Sequence, residues 1–394
     1  MARRNLIRYG GDLVYRQRNT NSSTIGCYPP PPPPPPSSSP CPCYSHRYTG
    51  RWMSTQMNVL VDSTKRESTL KPNLIQAPPL SNATILVDSL LQYTESLMDR
   101  QASNIIAYSG GVDSSLVAAL VYRVFHHPTP TPSRLTSNSS FDNKSGSVRA
   151  VLGVSTSLPP SQLTLARSVA QHIGIILLEV PTQEGLDPTY VENKGQSCFI
   201  CKNHLYSALE AVATQVDTLK KQSNHKMNQK ILLFNGTNAD DVQDPTRLGL
   251  LSAKAFEVKS PLEFTNKQDV RLASKHLGLP NWNYAASPCL RSRLAWGVKA
   301  TKDHLLSVNK AEEKVRHILG LRVDHNLRVR MLTGQRAMIE LDHRILSPDD
   351  QQNHGMIQKI LHDHDMDNFL KELGFHGGFS IRTFASGAVS KPLR

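Results

Sequence analysis

The sequence lacks what a membrane-spanning or disulfide-stapled protein needs. Its 394 residues contain no uninterrupted apolar run that approaches the roughly 20 residues of a spanning helix. Six cysteines are too few for a disulfide scaffold in a chain of this length. Charged residues are only 20% beside an ordinary 39% hydrophobic content, which excludes a mostly disordered chain and leaves material for a sizeable core. Acids are outnumbered, 32 against 45 bases, for a formal charge of +13. Such a balance can point to nucleic acid, so where the charge sits matters.

Much of it sits at the front. Residues 1–56 hold seven arginines and one acid, Asp12, which makes +6 and leaves +7 for residues 57–394. The same segment carries seven serines and the proline run Pro29–Pro36, which forms an extended polyproline helix and cannot join a core. An Arg-rich, Ser-rich, acid-poor start without a long apolar stretch reads as an organelle transit peptide, mitochondrial before plastid. The plainer alternative is a disordered basic tail on a cytoplasmic protein. With the charge so placed, nucleic acid is not expected as a partner. Cys27, Cys41 and Cys43 fall in this segment, so a processed chain keeps Cys198, Cys201 and Cys289. Residues 126–149 and 217–230 are polar and read as inserted surface loops.

Between these stretches strand and helix signals alternate. Asn104–Tyr108, Ala150–Val154, Ile175–Val180 and Ile231–Phe234 read as strands. Ser114–Phe125, Ser161–His172, Lys202–Val216 and Lys267–Leu277 read as helices. The pattern predicts an α/β fold over 57–300, a parallel sheet with helices on both faces. From residue 301 the order changes to helix (Thr301–Leu319), two strands (Asn326–Leu332, Arg336–Leu341), helix (Asp349–Leu373) and strand (Phe379–Phe384), which predicts a small α+β domain over 301–394.

The strongest local signal is Ser109-Gly110-Gly111-Val112-Asp113-Ser114-Ser115, between a strand and a helix. The glycines let the backbone approach an anion, and the helix N-terminus points positive potential at it. Ser109, Ser114 and Ser115 add hydroxyl donors. Asp113 would repel a phosphate directly, so its expected task is to hold Mg²⁺. A GK[ST] is absent, so this is not a Walker loop. The string resembles the PP-loop of the ATP pyrophosphatases.

Cys198-Phe199-Ile200-Cys201 forms a CxxC, and Cys289 follows far downstream. Three thiolates can hold three corners of an iron–sulfur cubane. A redox dithiol, a structural zinc site or buried apolar thiols stay open beside it.

Taken together, AYSGGVDSSL, CFICKNHLYSAL, FNGTNADD, SPLEFTNKQDVRLASKHLGLPNWN, ASPCLRSRLAWG and LRVRML resemble the LarE family of ATP-dependent sulfur transferases, across residues 105–384. The resemblance implies a homo-oligomeric enzyme that uses ATP and Mg²⁺ to adenylate a carboxylate of a pyridinium mononucleotide, a precursor of the nickel-pincer cofactor. A sulfur nucleophile then replaces AMP. It implies ATP contacts at Ser109, Gly110, Gly111, Asp113, Ser114, Ser115, Gly236, Thr237 and Asp240. It implies substrate-phosphate contacts at Ser292, Arg293, Arg328 and Arg330, and acidic active-site positions at Glu313 and Glu340. The three-cysteine pattern implies a [4Fe-4S] cluster on Cys198, Cys201 and Cys289, fed by a sulfide donor or cluster-assembly machinery, with Cys289 also a catalytic residue. The residues alone leave other readings open: a tRNA thiolase, an amide-forming ligase, or a non-enzymatic ATP- or cluster-binding module. From the residues alone, Arg328 and Arg330, two apart in a strand, could instead pair with Glu340 across the hairpin as a solvated ion pair. Asn283–Ala286 and Leu294–Gly297 depart from the family's pattern beside Cys289.

Overall fold

A computed structural model describes residues 82–127, 146–221, 230–244, 247–346 and 364–385. The expected transit segment, most of the 126–149 insertion and the first part of the Asp349–Leu373 helix lie outside these residues.

Four short apolar runs make one parallel sheet: β1 (Ser103–Ala107), β2 (Ser147–Val154), β3 (Leu177–Pro181) and β4 (Ile231–Phe234), in the order β3-β2-β1-β4. Every residue of β1 is buried, as expected for a central strand covered on both faces. Alternation divides the core. Ile106, Ala150, Leu152 and Phe234 face one layer, with Val87 and Leu90 of α1 (Asn82–Leu97), Leu116 and Leu120 of α2 (Val112–His126), Ala166 of α3 (Pro160–Ile173) and a helix at Lys267–His276. Ile105, Ala107, Val151 and Leu233 face the other. There they meet Tyr206, Leu209 and Val212 of the long helix Ser197–Lys221 and Ala253 of the helix Gly249–Ala255. The α/β expectation therefore holds, with helices on both faces.

In chain order these helices complete a series: α4 (Pro188–Glu192), α5 (Ser197–Lys221), α6 (Ala239–Val242), α7 (Gly249–Ala255), α8 (Lys267–His276), α9 (Lys302–Ile318) and α10 (His364–Glu372). Two differences from the sequence reading stand out. Helix α1 was not expected, although Val87, Leu90 and Thr94 repeat at helical spacing and are buried. Helix α5 continues to Lys221, so the first residues of the polar 217–230 stretch are helical rather than loop.

The smaller sheet is mixed. β5 (Leu327–Leu332) and β6 (Arg336–Leu341) form a hairpin, and β7 (Phe379–Thr383) joins β6 in parallel. Leu305, Val308 and Val315 of α9 close over its apolar face, together with Tyr190, Leu290 and Leu294 from before residue 300.

Candidate active site

The strand order reverses at β1. The sheet runs outward to β2 and β3 on one side and β4 on the other, so a crevice opens beyond the carboxyl ends of β1 and β4. The Ser109–Ser115 loop leaves β1 there and Gly236–Asp240 leaves β4. Gly110 takes φ +72°, and a Cβ on it would lie 2.6 Å from Cα and Cβ of Ala166. Only glycine fits that turn. A Cβ on Gly236 would stand 2.7 Å from the Ser114 amide nitrogen, so this glycine lets the two loops touch. Ser109 and Ser114 link hydroxyl to hydroxyl at 3.0 Å.

Three amide side chains hold this loop. Gln162 donates to the Ser109 carbonyl at 2.8 Å. Asn281, fully buried, donates from Nδ2 to the Gly110 carbonyl at 2.9 Å and to Ser115 Oγ at 3.0 Å, while its Oδ1 has no partner among the described residues. Asn238 caps α6 and donates to Asp113 Oδ1 at 2.8 Å. Burial pushes the Asp113 carboxyl above its ordinary value, the Asn238 bond opposes the rise, and the charge of Asp241 adds to it. Asp241 is buried and ion-paired with Arg247 at 2.8 Å, whereas Asp240 is exposed and accepts from the Lys267 amide at 3.1 Å. Half-buried Asp113 beside buried Asp241 is a fitting carboxylate pair for a hard dication shared with phosphate oxygens. Thr237 sits in the turn, its amide donating to Asn235 Oδ1 at 3.1 Å.

The cysteines come from two places in the chain. Cys198 and Cys201 lie on the first turn of α5, and Cys289 precedes the single helical turn Leu290–Arg293. Cys198 is exposed and the other two are half-buried. Burial pushes the Cys201 thiol up to about 12, with charge on Cys289 and Glu184 adding to it. Burial likewise raises Cys198, and Arg291, whose Nη2 reaches its sulfur at 2.6 Å, opposes the rise. Glu184, 2% exposed, faces Cys201 across 4.0 Å, and its Oε2 has no hydrogen-bond partner among the described residues. Among the described residues no group of three or more His, Cys, Asp or Glu is placed to hold a metal ion. The thiols as arranged do not fit an iron–sulfur cluster.

The arginines lie at the edge of the small sheet. Arg293, 1% exposed, makes a two-point ion pair with Glu312 at 2.9 and 3.1 Å and donates to the Pro288 and Cys289 carbonyls. Arg330 pairs with fully buried Glu340 at 2.7 Å and donates to the Ser292 carbonyl at 2.8 Å. Arg382 of β7 also binds Glu340. Arg328 donates to the Ala286 and Leu327 carbonyls and lies 5.4 Å from the Phe384 ring. Burial, then the charge of Arg293, brings its pKa down to about 10. The hairpin pairing with Glu340 is thus real for Arg330, but buried rather than solvated. Glu313 is exposed and takes a bond from Asn309 at 2.9 Å; its neighbour Glu312 is the acid that meets Arg293. Ser292 donates to the Cys289 carbonyl at 2.7 Å.

A parallel sheet whose phosphate-type loop opens at the switch point defines a PP-loop α/β protein. No family model matches the chain. An uncharacterized protein of Synechocystis is 34% identical over 235 residues, 59% of this chain and 76% of its own length. The pyridinium-3,5-bisthiocarboxylic acid mononucleotide synthase of Lactiplantibacillus plantarum is 26% identical over 215 residues, 54% of this chain and 67% of its own length. The chain belongs to the family of the Synechocystis protein, and its distant likeness to the second enzyme supports a LarE-like family. Both relatives are bacterial. Among the described residues no helix is long and apolar enough to cross a membrane.

Proposed function

We propose that this protein is an ATP-dependent sulfur transferase that adenylates a carboxylate of a pyridinium mononucleotide and exchanges oxygen for sulfur to give a thiocarboxylate. The observation that carries the reading is Asp113, half-buried in a glycine loop at the β1–β4 crevice and oriented by Asn238. The described part of residues 57–300 forms the adenylating domain in this reading, and residues 301–394 the smaller one. Loop amides and the N-terminus of α2 receive the phosphates of ATP. Asp113 and Asp241 would hold magnesium, which supplies charge neutralisation for departing pyrophosphate. The substrate oxygen attacks the α-phosphorus, the bridge to the β-phosphate breaks, and pyrophosphate takes the electron pair. Sulfide delivered by a donor beside the cysteine trio then attacks the acyl carbon with its own electron pair, the C–O bond to AMP breaks, and AMP leaves with those electrons. Arg328, the cation here with no carboxylate partner among the described residues, together with Arg293 and Arg330, anchors the substrate phosphate. A sulfide donor replenishes the site, and the chain works as a homo-oligomer.

The test is pyrophosphate release from ATP and a pyridinium dicarboxylate mononucleotide, with mass analysis of the product. Wild type should release pyrophosphate and yield a sulfur-containing product, and Asp113→Ala should do neither. Pyrophosphate release with a sulfur-free product would point to an amide-forming ligase instead. Undiminished release by Asp113→Ala would overturn the assignment of the loop.

A further inference from the structure

The chain turns between α4 and the CxxC helix at Asn193, a non-glycine residue in the left-handed region at φ 53°, ψ 42°. Its side chain is buried and devoted to a segment about a hundred residues away. Nδ2 donates to the carbonyls of Leu294 at 3.4 Å, Ala295 at 2.9 Å and Val298 at 3.1 Å. The backbone follows, with Gly297 N donating to the Asn193 carbonyl at 3.1 Å and Ala300 N to that of Val191 at 2.8 Å. Two residues on, Gly195 has φ +91°, and a Cβ there would stand 2.7 Å from the Trp296 ring. Asn193 Oδ1 accepts from Arg291 Nη1 at 3.0 Å, and the other arm of that guanidinium reaches Cys198 Sγ at 2.6 Å. One amide thus ties the start of the CxxC helix to both flanks of the turn that follows Cys289.

We propose that Asn193 is a positioning residue for the sulfur chemistry, setting the Cys289 segment in register with the Cys198–Cys201 helix so that the three thiols share one site. A turn of this shape needs only a residue tolerant of positive φ, and glycine would serve. What glycine would not supply is the three-carbonyl clamp and the acceptor for Arg291. The charge on Cys289 is felt at both Cys198 and Cys201, consistent with convergence of the thiols. The inference rests on reading the three cysteines as the sulfur site, but the clamp itself can be tested without turnover.

Asn193→Gly keeps the backbone conformation and deletes the side chain. The full chain, reduced and free of oxygen, is treated with a short bifunctional methanethiosulfonate, and bridged peptides are quantified by mass spectrometry. Bridges from Cys289 to Cys198 or Cys201 should fall about tenfold or more in the variant, since displacements near 1 Å can cost that much in proximity-controlled reactions. The Cys198–Cys201 bridge within α5 should persist. In turnover, the KM for ATP and the rate of pyrophosphate release should hold while sulfur-containing product falls. Asn193→Asp, which keeps the acceptor and loses the donors, should lose the Cys289 bridges as well. Wild-type bridging by Cys289 in a folded Asn193→Gly chain overturns the proposal. If that variant does not fold, unchanged bridging in Asn193→Asp overturns it. Should wild type make no sulfur product, the sulfur-transfer reading fails, while the bridging comparison still decides the clamp.

Discussion

Asn238 and Asp113 meet across the seam between β4 and β1, amide nitrogen to carboxylate oxygen at 2.8 Å. The same asparagine caps α6, its own oxygen accepting from the Asp241 amide at 3.0 Å. A single residue therefore orients one acid and the backbone of a second. Burial raises the Asp113 pKa above 3.8 in spite of this bond. A carboxyl with a raised folded pKa stabilises the fold below its unfolded value and loses that contribution as pH rises through the folded one. Ionised Asp113 thus works against the ligand-free protein at neutrality. Asp113→Asn is expected to raise the melting temperature at neutral pH, with the gain vanishing in acid, while pyrophosphate release is abolished. Thermal melts across pH check the first half and a phosphate-coupled assay the second.

Asn281 grips the phosphate loop from 171 residues away in sequence. Asn281→Leu removes both bonds and leaves the Ser115 hydroxyl and the Gly110 carbonyl without this partner, a loss of about 1–3 kcal/mol. The expected outcome is a Kd for ATP raised about five- to 140-fold, as follows from 1.4 kcal/mol per decade. Nucleotide titration followed by calorimetry measures it.

Arg330 and Glu340 form an ion pair with 5% and 0% of their side chains exposed. Arg330→Met should destabilise the protein by about 3 kcal/mol, the lower end for breaking a buried pair, because Arg382 still faces the carboxylate. Adding Glu340→Leu should recover much of the loss, since the remaining Arg382 reaches solvent. Urea midpoints at constant slope give both values.

The thiols should alkylate in an order set by exposure and charge. Cys198 is exposed and has Arg291 against its sulfur, while Cys201 is half-buried with its pKa pushed up to about 12. Thiolate is the reactive form, so iodoacetamide should label Cys198 first and Cys201 last at neutral pH. Arg291→Ala should slow labelling of Cys198 specifically, as peptide mapping over time would reveal.

What could be read beforehand and what could not divides along sequence distance. The loop Ser109–Ser115 announces itself because strand, glycines, acid and helix are contiguous. Strands β1 to β4 are short apolar runs with breakers between them, so their periodicity is local too. The residues that tune the site carry no such mark. Asn238, Asn281 and Asn193 are ordinary asparagines until the fold supplies carbonyls and carboxylates more than 90 residues away in the chain. Glu312 and Glu313 are neighbours of the same chemistry, and only the phase of α9 against Arg293 separates them. Helix α1 is faint in the sequence because Thr94 completes its buried stripe and breaks the apolar repeat.

The small sheet has a consequence for how the chain is made. β7 joins β6 in parallel, so it cannot arrive by a hairpin and must wait for the crossover between residues 342 and 378. Glu340 is neutralised from two sides: by Arg330, synthesised ten residues earlier, and by Arg382, which comes forty-two residues later. Until Arg382 has been made, Glu340 has only one of its two arginine partners. The small sheet therefore closes only once β7 has been made. A chain broken off before Phe379 would leave Glu340 paired by Arg330 alone and the outer edge of β6 uncovered.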